Sequence, residues 1–171
     1  MPDLEQYQPG TKIDGLQRLR NVLEGRGLEY FYSVPAPAED ADENERFAYS
    51  AMLTQLKSNS DQHIADVLNE TLYMREFFVH RVVVFNEQTQ EDVETLRSVI
   101  VDRDGMTYSA VSDGAIDGFA TILELFGPSS KWPSDGLPIQ FKQVNTRRGR
   151  RTFNMVVVNE IAEKPKSKGR R

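Results

Sequence analysis

The run YMREFFVHRVVVFN, residues 73–86, commits this chain to a β-sheet. Aromatic and β-branched side chains crowd a helix but fit a pleated strand. Alternation sets Phe77, Val79, Arg81, Val83 and Phe85 on one face and Phe78, His80, Val82 and Val84 on the other. Two more strands are expected in TLRSVIVDRDGMTYSAVS, residues 95–112. Asp104-Gly105 joins them, supplying the positive φ angles that a tight antiparallel hairpin requires.

The period then becomes helical. In SDGAIDGFATILELFG, residues 112–127, Ile116, Phe119, Ile122 or Leu123, and Phe126 form one apolar stripe, with Ser112 placed to cap the start and Gly127 the end. The loop PSSKWPSDGLP leads to two last strands, IQFKQVNT and TFNMVVVNE, around an arginine-rich turn. From Tyr73 the order is strand, strand, strand, helix, strand, strand. The expected fold is therefore β-rich α+β: an OB-fold-like five-stranded antiparallel barrel preceded by an N-terminal helical segment.

That segment reads as a helix in DGLQRLRNVLEGRG, with Leu16, Leu19, Val22 and Leu23 at helical spacing, Asp14 as N-cap and Gly25 or Gly27 as the stop. LEYFYSV is strand-like, and PAPAEDADENE is an acidic surface loop. NERFAYSAMLTQLKSN is helical through Phe47, Met52 and Leu56; SDQHIADVLNETL is a second short helix capped by Ser60 or Asp61. The expected organisation is a mostly helical segment with an acidic loop at residues 1–70, an OB-like nucleic-acid-binding domain at 71–161, and a disordered basic tail at 162–171.

The 171 residues carry a formal net charge of -5, but the signs are segregated. From Pro138 onward ten Lys/Arg stand against two Asp/Glu, a balance of +8; the first 137 residues hold eleven against twenty-four, or -13. A concentrated positive region can bind a polyanion even on an acidic protein, because salt screens repulsion beyond about 10 Å. The charge centres on NTRRGRRTF, where Arg147, Arg148, Arg150 and Arg151 surround Gly149. Guanidinium groups grip phosphate in a bidentate way. The competing reading is a hairpin tip charged against edge-to-edge pairing. Lys142 projects on the same side as Gln140 and Val144.

A single strand also stacks its bases on rings. The aromatic candidates are Tyr108, Trp132, Phe141, Phe153, Phe77 and Phe78, and most strand aromatics are core. Trp132 sits in a loop between Lys131 and Pro133, as a stacking ring or a lid over the barrel. Tyr108 alternates with the small or flexible Met106 and Ala110. Phe141 has core parity. Phe153 follows the basic turn, either extending a stacking surface or anchoring its strand. Arg75, Arg81 and Arg97 lie within strand patterns, and Arg81 shares parity with Phe77 and Val79, on a face of interleaved charge and rings or an ordinary solvated face. The expected nucleic-acid-binding set is Arg147, Arg148, Arg150, Arg151, Lys142, Arg81, Arg97, Tyr108, Trp132 and Phe153.

Enzyme chemistry finds little footing. There is no cysteine, which excludes disulfides, thiolate zinc sites and Cys nucleophiles. His63 and His80 are the only histidines and lack ligand spacing; Asp102 and Asp104 lack the further carboxylates of a calcium loop. The glycines of DGAIDGFA do not fit a nucleotide fingerprint. No catalytic residue, metal or cofactor is expected, and a metal-dependent nuclease is a distant third reading. No apolar run approaches the roughly 20 residues of a bilayer span and MPDLEQYQPG is not a signal peptide, so a cytosolic protein without membrane partners is expected.

The succession NETLYMREFFVHRVVVFNEQT, SVIVDRDGMTYSAVSDGAIDGFATILELFGPSSKWP and IQFKQVNTRRGRRTFNMVVV resembles a family of small single-stranded DNA-binding proteins encoded by bacteriophages. The resemblance rests on the Asp-Gly hairpin leading into residues 108–112, the apolar helix ending in Phe126-Gly127, the Trp132-Pro133 pair, a strand rich in Lys and Gln, and a basic turn before a final apolar strand. It covers roughly the last two thirds of the chain. It implies a non-enzymatic protein that coats single strands during phage replication or recombination in the host cytoplasm, together with replication or recombination proteins. The basic residues 162–171 depart from the acidic, partner-recruiting tail of many such proteins. A homo-oligomer is left open. The alternative is an OB-like interaction module whose basic hairpin binds an acidic protein partner or RNA.

Overall fold

β3 (Leu72–Asn86) and β4 (Glu91–Asp102) form one long antiparallel ribbon, with a core packed on each of its faces and further strands along its edges. The computed structural model describes residues 15–24, 30–58, 60–111, 113–145, 147 and 151–160. The other described elements are α1 (Gly15–Leu23), β1 (Tyr30–Tyr32), α2 (Glu43–Ser58), β2 (Gln62–His63), a 3-10 turn (Ile64–Val67), β5 (Thr107–Ala110), α3 (Asp113–Phe126), a second 3-10 turn (Ser129–Lys131), β6 (Leu137–Asn145) and β7 (Arg151–Val157). The fold is β-rich α+β. The expected caps and stops Asp14, Gly25, Gly27 and Ser112 lie outside the described residues.

From Phe77 to Val79 both parities of β3 are apolar because both of its faces are covered there. On one side Phe77 and Val79, with Ile100 of β4, join Tyr108, Ile139, Phe141, Met155 and the α3 residues Ile116 and Phe119 in the main core. Phe77 stacks on Phe119 with ring centroids 4.1 Å apart, and on Trp132 at 6.1 Å. On the other side Phe78, Val99 and Val101 pack with Leu56 of α2 and Tyr32 of β1. Burying each such side chain contributes about 1.5–3 kcal/mol, so α2 is held by a core of its own.

One edge of β3 is shared. β6 pairs with it only at Leu72, Tyr73 and Met74, and β1 takes the same edge at Phe78, Val79 and His80. A bulge between Met74 and Glu76 separates the two stretches. Ser33 fills the gap: its Oγ accepts from the Phe77 N–H and its own N–H donates to the Phe77 carbonyl, both at 2.9 Å.

Three expectations change. In place of the five strands of the expected OB-fold-like antiparallel barrel, the described sheet has seven and is open, in the order β2-β5-β4-β3-β6-β7 with β1 beside β3. β2 pairs in parallel with the outer edge of β5, the edge that closure would use. Inward side chains of β3 to β7 still gather around one core, so the sheet curls into a half-barrel. Residues 60–72 also differ from the expected helix. Asp61 Oδ2 accepts from the Thr107 N–H at 2.9 Å and Ser60 Oγ meets Ser109 Oγ at 2.7 Å, which ties these would-be caps to β5. Only one 3-10 turn follows, opened by the Ala65 N–H donating to His63 Nδ1, and Asn69 lies just beyond it at φ 67°.

The third change is in the Asp104-Gly105 turn, where only Gly105 has positive φ, 85°. The remaining constraint comes from Asp102, whose Oδ1 accepts from the N–H groups of Asp104 at 2.9 Å and Met106 at 3.0 Å. Along α3 the stripe is buried through Leu123, whereas Phe126 is exposed at the helix end, next to Gly127 with φ 74°.

Candidate nucleic-acid interface

The β6–β7 ribbon is anchored at its base and polar toward its turn. Its register runs from Ile139↔Val157 through Phe141↔Met155 and Gln143↔Phe153 to Asn145↔Arg151. Cross-strand partners share a face, so this series leaves the core at Phe141 and Met155, reaches the rim at Gln143 and Phe153, and ends beside the arginine turn. The opposite face carries Gln140↔Val156, Lys142↔Asn154 and Val144↔Thr152. Gln140 donates to Thr71 Oγ1 at 2.9 Å, whereas Val144 and Val156 are exposed.

α3 holds β7 through a close approach that only glycine permits. A Cβ on Gly114 would lie 2.5 Å from the Phe153 carbonyl oxygen and 2.7 Å from Thr152 Oγ1; one on Gly118 would lie 2.9 Å from Met155 Cβ. Gly114 also donates its N–H to Thr152 Oγ1 at 3.2 Å. Spacing of four residues puts both glycines on one helix face, a packing signal rather than a phosphate motif. Phe153 is thereby fixed at the rim, half-buried, packed on the core and edge-on to His63 with centroids 6.3 Å apart.

The expected binding residues fall into three groups. Arg147 is exposed at the turn, and Lys142 is half-buried on the ribbon. Arg148 and Arg150 lie outside the described residues, and Arg151 opens β7 opposite Asn145. Tyr108 and Trp132 are core side chains, 6% and 8% exposed. Tyr108 donates its hydroxyl to Asp102 Oδ2 at 3.0 Å, and burial together with that carboxylate pushes its phenol up to about 12. Trp132 donates Nε1–H to the Gly127 carbonyl at 2.9 Å. Neither ring has a face open to a base. Phe77, Phe78 and Phe141 are fully buried.

Arg81 and Arg97 are occupied with holding the fold. Arg81 donates to the Val22 carbonyl at 2.6 Å and pairs with Glu94 at 3.1 Å, clamping α1 to the β3–β4 ribbon. Arg97 donates to the Leu56 carbonyl at 2.8 Å and to His80 Nε2 at 3.0 Å, clamping α2 to the other face. Parity located both faces correctly but did not reveal the helices that cover them.

The ribbon thus offers one rim ring, Phe153, beside amides from Gln143 and Asn145, with cationic side chains at Lys142 and Arg147. Sequence reading passed over those amides because Gln and Asn carry no charge signal; cross-strand register is what gathers them. Among the described residues no group of three or more acidic or histidine side chains could hold a metal ion. No helix among them is long and apolar enough to cross a membrane.

A family model described as phage single-stranded DNA-binding protein, of the phi29 type, matches residues 52–158, from within α2 to just past β7. The chain belongs to this family. No curated protein and no solved structure matches it. The phi29-type match spans the whole half-barrel from β2 to β7 and the arginine turn, and it assigns the chain to single-stranded DNA-binding proteins.

Proposed function

We propose that the β6–β7 ribbon and its turn hold single-stranded DNA without regard to sequence. Phosphates are neutralised by Arg147, Arg148, Arg150, Arg151 and Lys142, and a base stacks on the rim ring Phe153. Family membership combined with the concentration of arginine at one ribbon tip supports this reading most directly. Phosphate and π-face are common to every nucleotide, so contacts of this kind discriminate little between sequences.

The half-barrel serves as an OB-like scaffold, with β3, β4, β5, β6 and β7 as its five principal strands and α3 between the third and fourth. Residues 71–161 make up this binding unit. Its role is to coat strands exposed in phage replication or recombination, in the host cytoplasm and without catalysis, metal or cofactor. Arg81, Arg97, Tyr108 and Trp132 support the scaffold rather than touch the strand.

Anisotropy titration of labelled oligo-dT, the matching duplex and oligo-U at two salt concentrations tests this. Tight, salt-sensitive binding of oligo-dT over duplex is expected. Preference for duplex, or no binding of oligo-dT at low salt, overturns the proposal; preference for oligo-U reassigns the ribbon to RNA.

A further inference from the structure

The far half of the β3–β4 ribbon has properties that the strand-binding role does not use. Beyond Arg81 it leaves the body of the protein as an arm, residues 82–94, on which Val83, Val84, Phe85 and Val93 are exposed, Val83 by 66% and Phe85 by 56%. The arm contains Glu87, Glu91, Asp92 and Glu94 and no lysine or arginine. The register sets Phe85 across from Asp92 and Val83 across from Glu94 on one face, with Val84 across from Val93 on the other. An exposed ring flanked by carboxylates offers the two features that the basic ribbon is suited to take: anionic oxygens and a π-face. Carboxylates at Glu87, Glu91 and Asp92 disfavour both phosphate and a second arm as partners for its apolar side chains.

We propose that this acidic arm docks on the basic β6–β7 ribbon of a second copy of the chain and is displaced from it by single-stranded DNA. Charge complementarity selects the occupant. In sequence the ribbon and its turn supply Lys142, Arg147, Arg148, Arg150 and Arg151, and Val144 and Val156 are exposed on the Lys142 face; the arm supplies Glu87, Glu91 and Asp92, with Glu94 paired to Arg81, and four exposed apolar side chains. The antiparallel β3–β6 pairing, confined to Leu72, Tyr73 and Met74, sends β6 away from the end of β3 that carries the arm. Arm and ribbon thus leave from opposite ends of β3, which favours a contact between copies. Such a head-to-tail contact uses different surfaces on each partner and need not close. Displacement by DNA rests on the ribbon being the strand site; the docking itself does not.

Sedimentation velocity of the full chain at low salt, over a hundredfold concentration range, tests the contact without DNA. Concentration-dependent self-association is expected, lost in the neutralised arm E87Q/E91Q/D92N and in a second variant, Phe85→Ser. The charge-reversed arm E87K/E91K/D92K should also fail to self-associate, and should bind a chain in which Arg147, Arg148, Arg150 and Arg151 are all glutamate. A monomer at every concentration, or self-association unchanged by the arm variants, overturns the docking. Added oligo-dT should disperse the assembly, and the neutralised arm should bind oligo-dT severalfold more tightly. If the assembly persists with oligo-dT bound, the competition is wrong. If Phe85→Ser weakens binding to a short oligo-dT, the arm is a DNA contact and the proposal falls. If the wild-type chain ignores oligo-dT yet self-associates through the arm, only the strand-binding reading fails.

Discussion

Arg97 donates a hydrogen bond to Nε2 of His80 across 3.0 Å, beneath the last turns of α2. The contact requires a neutral imidazole as acceptor. Burial, then the charges of Arg97 and Lys57, pull the His80 pKa down to about 4 from its ordinary 6.5. As pH falls below 6.5 the unfolded chain takes up this proton while the folded chain does not, so the folded state loses stability until pH reaches about 4. Across that window the loss is up to about 3 kcal/mol. Urea unfolding at pH 7 and pH 4.5 should show a drop that is smaller in His80→Gln; equal pH dependence in both proteins would remove His80 as its source.

Gly114 and Gly118 let α3 lie against β7. Alanine is the better helix former by about 1 kcal/mol, yet a Cβ at Gly114 would lie 2.5 Å from a backbone oxygen. Gly114→Ala should therefore destabilise by about 1–3 kcal/mol. Gly118→Ala should destabilise as well, because Met155 Cβ, 2.9 Å from the added methyl, is fixed to the β7 backbone, and only the Met155 Cε at 3.0 Å can swing away. Thermal unfolding reads both, and a stabilised Gly114→Ala protein would contradict the packing.

The single tryptophan reports on the core. Trp132 lies over Phe77 with its indole N–H satisfied by Gly127, so its emission should be blue-shifted and little altered by saturating oligo-dT. Strong quenching by DNA would show that the loop around it opens to stack a base.

Asp102 organises the β4–β5 turn through two backbone N–H groups and the Tyr108 hydroxyl. Replacement by alanine removes the acceptor of two part-buried backbone donors and of the buried Tyr108 hydroxyl, and should cost about 2–4 kcal/mol. Tyr108→Phe removes one bond, should cost about 1 kcal/mol, and should leave oligo-dT affinity unchanged. Chemical unfolding and anisotropy on the same samples separate the two effects.

The five strands from β3 to β7 are readable because alternation, turn residues and the helical stripe of α3 are local signals. What escaped was long-range. Ser60 and Asp61 look like helix caps until β5 is present to engage them. Arg81 and Arg97 look like open-face cations until α1 and α2 are seen to place carbonyl acceptors over them. Tyr108 and Trp132 were candidates because a sequence shows a ring without showing what lies above it. The arginine turn stood out because four cations in five positions need no tertiary information to be noticed.

The most direct test of strand binding by the ribbon is the salt dependence of oligo-dT affinity in the wild type and in the variant with alanine at Arg147, Arg148, Arg150 and Arg151. On a single strand each phosphate contact contributes about 0.7 to the slope of log affinity against log salt, so losing four contacts should flatten it by up to about 3. Affinity at low salt should fall at least tenfold, with the unfolding midpoint unchanged. An unchanged slope and affinity in a folded variant would place the strand elsewhere on the protein.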